Sequence, residues 1–236
     1  MDTFIKMSRI PHRNILVFDT ETTGLIPKSK EVPLEMFPCI TQFSFIVYDT
    51  QLNNIRSSFN AYIKLPAGIE IPPIVTEITG ITNEKCDSQG IPIEQVLGIF
   101  YQAMTLCDCV IAHNLDFDMQ MVNIELKRHS IRLSKIFPNI QYMFHSSRLA
   151  ALGINLDCTM KMTTESCALY RSTEKNHVYK KFPKLSETYF HLFQETPTNL
   201  HNSMVDTIVC LRCYLKLRFG ETISDERFVE LIELNM

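Results

Sequence analysis

Short apolar runs and longer stretches of helical spacing alternate along the chain, separated by polar turn-forming residues. Ile15-Leu-Val-Phe18 is a continuous apolar run that stops at the polar cluster Asp19–Gly24, which predicts a buried strand. Thr41–Asp49 and Phe59–Lys64 predict two more strands, so residues 15–64 read as a three-stranded antiparallel meander. Residues 27–38 hold three prolines and several charges and read as a loop, Pro66–Pro73 as a connection, and Thr76–Asn83 as a turn. Ile93–Leu106 carries Val96, Leu97, Phe100 and Met104 at helical spacing. Val110–Ala112 is strand-like and ends at His113-Asn114, after which Phe117–His129 is helical. Ile140–Phe144 and Ile154–Thr159 are weaker strand or connector segments, 171–184 is a polar basic loop, and Leu185–Phe193 and Ser203–Leu217 are helices. The order β-β-β-α-β-α-β-loop-α-α predicts one α/β domain with helices on a mixed sheet. Its expected boundaries are a flexible arm at 1–13, the domain at 14–219 and a C-terminal extension at 220–236.

Length and composition add exclusions. A chain of 236 residues with 45% hydrophobic and 21% charged residues is neither fibrous nor disordered. No apolar run approaches the roughly 18 residues of a membrane span, and the N-terminus lacks the apolar stretch of a secretory signal. The eight cysteines therefore read as reduced, buried small hydrophobes of an intracellular, reducing compartment, cytoplasm or nucleus, in a protein that is not secreted. Cys107/Cys109 and Cys210/Cys213 are poorly spaced as zinc half-sites, and the second pair falls within an apolar helical pattern. The net charge of −3 gives no basic footprint for nucleic acid.

Three groups of residues carry candidate chemistry. Asp19 and Glu21 lie two apart at the end of a predicted strand, so they point to the same side. Converging carboxylates repel unless a cation sits between them, and oxygen-only donors suit Mg²⁺ or Mn²⁺. Alone, the pair reads more readily as a solvated acidic turn after a strand. Asp118 falls where a strand gives way to a helix, and Asp116 fits a helix-start role at least as well. His201 precedes Asp206 by five residues, on a loop before the last long helix.

Taken in order, Phe18-Asp-Thr-Glu-Thr-Thr-Gly-Leu25, His113-Asn-Leu-Asp-Phe-Asp118 and His201-Asn-Ser-Met-Val-Asp206 resemble the motifs of the DEDDh family of 3′–5′ exonucleases. Thr79-Gly-Ile-Thr82, Pro183–Tyr189 and Cys210-Leu-Arg-Cys213 add to the likeness, which spans about residues 14–219. The chain departs at Ser203, where the family usually has alanine, and before Thr79, where many relatives have histidine.

The resemblance implies an RNase H-like α/β fold with a five-stranded mixed sheet, three antiparallel strands followed by parallel ones, flanked by helices. It implies two Mg²⁺ (or Mn²⁺) held by Asp19, Glu21, Asp118 and Asp206, with His201 as general base. Of the two acids in the second motif it selects Asp118. Thr22, Thr23 and Leu25 would surround the 3′-terminal nucleotide, with backbone groups of the threonines on the terminal hydroxyl and Leu25 wedged against the base. The implied activity is release of nucleoside 5′-monophosphates from single-stranded 3′ ends. DNA is favoured because Pro183–Tyr189 and the last motif look like the proofreading branch. An RNA-trimming enzyme, or a silent nucleic-acid-binding or polymerase-associated module, are the alternatives. Any polymerase or replication partner would be a separate chain. The basic segment 171–184, with Tyr179 and Phe182 interleaved, reads as a single-strand track or as a solvated loop.

Overall fold

The computed structural model describes residues 13–29, 31–173, 177–220 and 222–234. The predicted arm at 1–13 lies almost wholly outside the described residues. Strands β1 (Asn14–Thr22), β2 (Ile40–Asp49) and β3 (Asn54–Tyr62) form the expected antiparallel meander. Helices α1 (Pro73–Thr79), α2 (Asn83–Gln89) and α3 (Ile93–Met104) lead to strand β4 (Cys109–Ala112). Helices α4 (Leu115–Arg128), α5 (Ser130–Ile136) and α6 (Ser146–Leu152) precede strand β5 (Asn155–Cys158). After α7 (Thr159–Cys167) come a small hairpin of β6 (Tyr170–Ser172) and β7 (Val178–Lys180), then α8 (Leu185–Phe193), α9 (Ser203–Phe219) and α10 (Asp225–Glu233). The main sheet runs β3-β2-β1-β4-β5, with β4 and β5 parallel to β1. This is the mixed five-stranded α/β architecture expected.

The central strand β1 is buried on both faces because helices cover the sheet on either side. Leu16 and Phe18 face a core completed by Val96, Leu97 and Phe100 of α3 and Met121 and Val122 of α4. Ile15 and Val17 face the other core, filled by Val205, Ile208 and Val209 of α9 and Tyr189 of α8. Residues 222–234 continue beyond the boundary expected at 219, and Phe228, Leu231 and Ile232 of α10 are buried in that second core. Phe228 covers the guanidinium of buried Arg212, 4.3 Å from its ring centre, and stacks on Tyr189 at 5.7 Å.

Four local expectations are corrected. The turn at Thr76–Asn83 is the junction of two short helices, with Gly80 at φ 68 ending α1. That left-handed angle is the helix-terminating geometry glycine tolerates. Strand β3 starts at Asn54 rather than Phe59, on a polar, largely exposed stretch at the sheet edge. Ile140–Tyr142 is a helical turn, not a strand. The predicted loop at 171–184 contains the β6–β7 hairpin.

Candidate active site

The site forms at the C-terminal end of β1, where the parallel strands β1 and β4 both finish. Side chains alternate along β1, so Asp19 and Glu21 share the α9 face of the sheet and Thr20 the α4 face. Asp206 sits in the first turn of α9, and Asp118 in the first turn of α4. Two helical layers thus deliver one carboxylate each to a strand end that already carries two. A register shift between Glu21 and Thr22 on β1 precedes the last pair of the ladder, Thr22 with Ile40, where the chain turns into the Thr22–Leu25 loop.

Each incoming carboxylate is anchored differently. Asp118 Oδ1 accepts hydrogen bonds from the Thr20 amide at 3.1 Å and the Thr20 hydroxyl at 2.8 Å. Asp206 Oδ2 accepts the His201 amide at 3.3 Å, whereas its Oδ1 is buried with no hydrogen-bond partner among the described residues. Asp116, the alternative to Asp118, is exposed and ion-paired to Lys161 at 2.5 Å. His201 is exposed, with a left-handed φ of 72. One ring nitrogen of it and one carboxylate oxygen each of Glu21 and Asp206 lie within 4.8 Å of one another.

The electrostatics follow from burial and crowding. Burial raises the Asp19 carboxyl well above its usual range, and Asp118, Asp206 and Glu21 raise it further. Glu21 is pushed up to about 8 by burial and then by Asp206 and Asp118. Burial lifts Asp118 to about 7 against the opposing Thr20 hydrogen bonds, and lifts Asp206 to about 7 against the His201 amide. No basic side chain among the described residues offsets any of them. An uncompensated cluster of carboxylates, Asp118 buried and the other three half-buried, with an orphaned Asp206 oxygen fits hard divalent cations, and Asp19, Glu21, Asp118 and Asp206 are the residues that would hold them.

A buried polar network absent from the sequence reading fixes the third motif. Gln42 on β2 accepts the Ser203 amide at 3.1 Å, and its amide group donates to Asn60 at 2.9 Å and Asn202 at 3.3 Å. Ser44 donates to Asn60 at 2.9 Å and meets the Ser203 hydroxyl at 2.5 Å. The start of α9, with His201 on one side and Asp206 on the other, is therefore bolted to β2. Ser203, the residue that departs from the family pattern, supplies two of those bolts. The only sequence signal was a run of small and amide side chains inside an otherwise apolar strand.

The loop after β1 narrows one expectation. The Thr23 amide donates to the Cys39 carbonyl at 2.8 Å and its hydroxyl accepts the Cys39 amide at 3.0 Å. The Thr22 hydroxyl donates to the Gly24 carbonyl at 2.8 Å. The Thr23 amide thus braces the loop, while its hydroxyl, which accepts there, keeps its own proton to donate. Leu25 is 85% exposed and packs in no core. Phe117 packs against the first core. His113 bridges the Thr159 hydroxyl at 2.9 Å and the Pro183 carbonyl at 3.0 Å, and burial pushes it down to about 4. It is a neutral strut between β4 and the segment before α8.

The model of the exonuclease family that includes RNase T matches residues 16–214, nearly the whole described chain. The chain belongs to this exonuclease family. Among curated relatives, this exonuclease domain is 29% identical over 116 residues to DNA polymerase III PolC-type of Streptococcus sanguinis, covering 49% of this chain and 7% of that protein. It is 29% identical over 121 residues to the 3′-5′ exonuclease DinG of Bacillus subtilis, covering 51% of this chain and 12% of that protein. Among solved structures, exonuclease I of E. coli in complex with an oligonucleotide aligns with TM-score 0.60 and 17% identity, over 88% of this chain and 42% of that one. Exonuclease I of Methylocaldum szegediense aligns with TM-score 0.60 and 16% identity, over 89% and 41%. These structures share the fold of the exonuclease domain, which spans less than half the length of either. The DEDDh likeness and the RNase H-like sheet are both met. No described helix is long and apolar enough to cross a membrane.

Proposed function

We propose that the chain is a divalent-metal-dependent 3′–5′ exonuclease that hydrolyses single-stranded DNA from its 3′ end and releases nucleoside 5′-monophosphates. The observation that carries this reading is the convergence of four uncompensated carboxylates, Asp118 buried and the other three half-buried, with one exposed histidine at a strand end. Bound divalent ions would neutralise the carboxylates and stabilise charge on the attacking and leaving oxygens of the scissile phosphate. Asp19, Glu21, Asp118 and Asp206 would hold and orient those ions. His201 accepts the proton of the attacking water in its neutral form, and its exposed loop position gives water access. Exposed Leu25 presses on the terminal base without reading its edge. The DinG relative, named a 3′-5′ exonuclease, and the oligonucleotide complex of exonuclease I support polarity and substrate. The polymerase relative supports a polymerase partner.

The test is degradation of a 5′-labelled single strand with Mg²⁺, Mn²⁺ or EDTA, beside the same sequence in RNA, a 3′-phosphorylated strand and a closed circle. A ladder from the free 3′ end that EDTA abolishes, with DNA cut faster than RNA, is expected. Cleavage of the circle, or an Asp19→Asn variant with full activity, would overturn the reading. The clustering of a His201 nitrogen with Glu21 and Asp206 favours one alternative role, that of metal ligand. A His201→Ala variant that loses divalent-ion affinity rather than turnover would establish it.

A further inference from the structure

We infer that the β6–β7 hairpin and residues 181–184 after it form an arm that binds single-stranded DNA upstream of the 3′ terminus, an inference that rests on the exonuclease reading above. The arm is anchored at the rim of the site. The Pro183 carbonyl meets His113 at 3.0 Å, and His113 directly precedes the turn into α4, the helix that carries Asp118. Phe182 and Lys184, both exposed, flank that anchor. Across the hairpin Arg171 pairs in register with Tyr179, and both are exposed.

The composition of the arm matches a polyanion with bases. Tyr179 is 42% exposed and Phe182 59%, rings that a short hairpin leaves in water at a cost unless something stacks on them. Bases stack on such rings without regard to sequence. Lys180 and Lys181 are already paired with Glu165 and Glu187, which stiffens the base of the arm. Arg171 is exposed and has no carboxylate within ion-pair distance among the described residues, so its charge faces solvent, whereas exposed Lys184 shares the field of Glu187 with Lys181. A cation source of this kind is needed. The site itself is a cluster of carboxylates and the chain has a net charge of −3, so attraction for phosphates upstream of the metal centre has to be local.

The experiment compares a dinucleotide, which fills only the site, with a single strand of about 20 nucleotides that also reaches the arm. KM is measured with Mg²⁺, and equilibrium binding by fluorescence anisotropy with Ca²⁺ replacing Mg²⁺ to suppress cutting. In the double variant Tyr179→Ala/Phe182→Ala the preference for the long strand should fall about tenfold. In Arg171→Gln the slope of log affinity against log salt for the long strand should shrink by about one. An unchanged length preference in the double variant, or equal weakening of both substrates, overturns the arm, and the former would redirect these aromatics to a protein partner. A wild type that binds long strands preferentially yet hydrolyses neither substrate would sink the exonuclease reading and leave the arm standing.

Discussion

Removing one charge from the carboxylate cluster should stabilise the metal-free protein. Asp118→Asn is the cleanest perturbation, because the amide oxygen can still accept both hydrogen bonds from Thr20. Burial lifts the Asp118 carboxyl from 3.8 to about 7 in the folded chain. At about 1.4 kcal/mol per pH unit, ionising it in the fold rather than in the unfolded chain costs roughly 4 kcal/mol. The sign follows from the direction of the shift. The penalty is absent below pH 3.8, grows as pH rises, and is complete above about 7. In EDTA at pH 8 the variant should therefore melt higher than the wild type by about 8–16 °C, at about 2–4 °C per kcal/mol for a chain of this size. The gap should close as pH falls toward 4. Added Mg²⁺ should raise the wild-type melting temperature more than the variant's, reversing or erasing the difference. Differential scanning fluorimetry across pH, with and without metal, reads all of this. A variant less stable than wild type in EDTA at pH 8 would refute the claim that this carboxylate is held in the fold at electrostatic cost.

Three further outcomes are expected. Gln42→Leu strips partners from the Ser203 amide and from Asn60, so it should cost about 1–3 kcal/mol in urea unfolding and lower turnover more than it raises KM; wild-type turnover would show that β2 does not align the third motif. His201→Ala should lower turnover roughly 10²–10⁴-fold while calorimetry still finds divalent-ion binding. Phe228→Ala opens the contact over Arg212 and should cost about 3 kcal/mol; a melting temperature equal to wild type would mean that α10 docks without it.

What the sequence made legible was whatever two simple periods could encode. The apolar run of β1, the helical stripes of α3, α8 and α9, and the junctions carrying Asp19, Asp118 and Asp206 all follow from alternation or 3.6-residue spacing. Edge strand β3 escaped at its start because Asn54 to Ser58 has no buried face to write a pattern. Helices α1 and α2 escaped because each has seven residues and they meet at a glycine that reads as a turn. The preference for Asp118 over Asp116 came from family likeness; in the structure the difference is that Asp116 has Lys161 and Asp118 has Thr20. The bolts through Gln42, Ser44, Asn60 and Ser203 join positions far apart in sequence, and no local period announces such pairings.

Asp118 and Asp206 reach the end of β1 from opposite sides of the sheet, and this couples the chemistry to the folding of the whole chain. A partly assembled protein with only one helical layer docked would bring at most three of the four acids together. On the proposed reading, half-made chains, or fragments lacking one of the layers, would be inert toward nucleic acid. Hydrolysis would then begin only when both halves of the architecture have closed on the same strand.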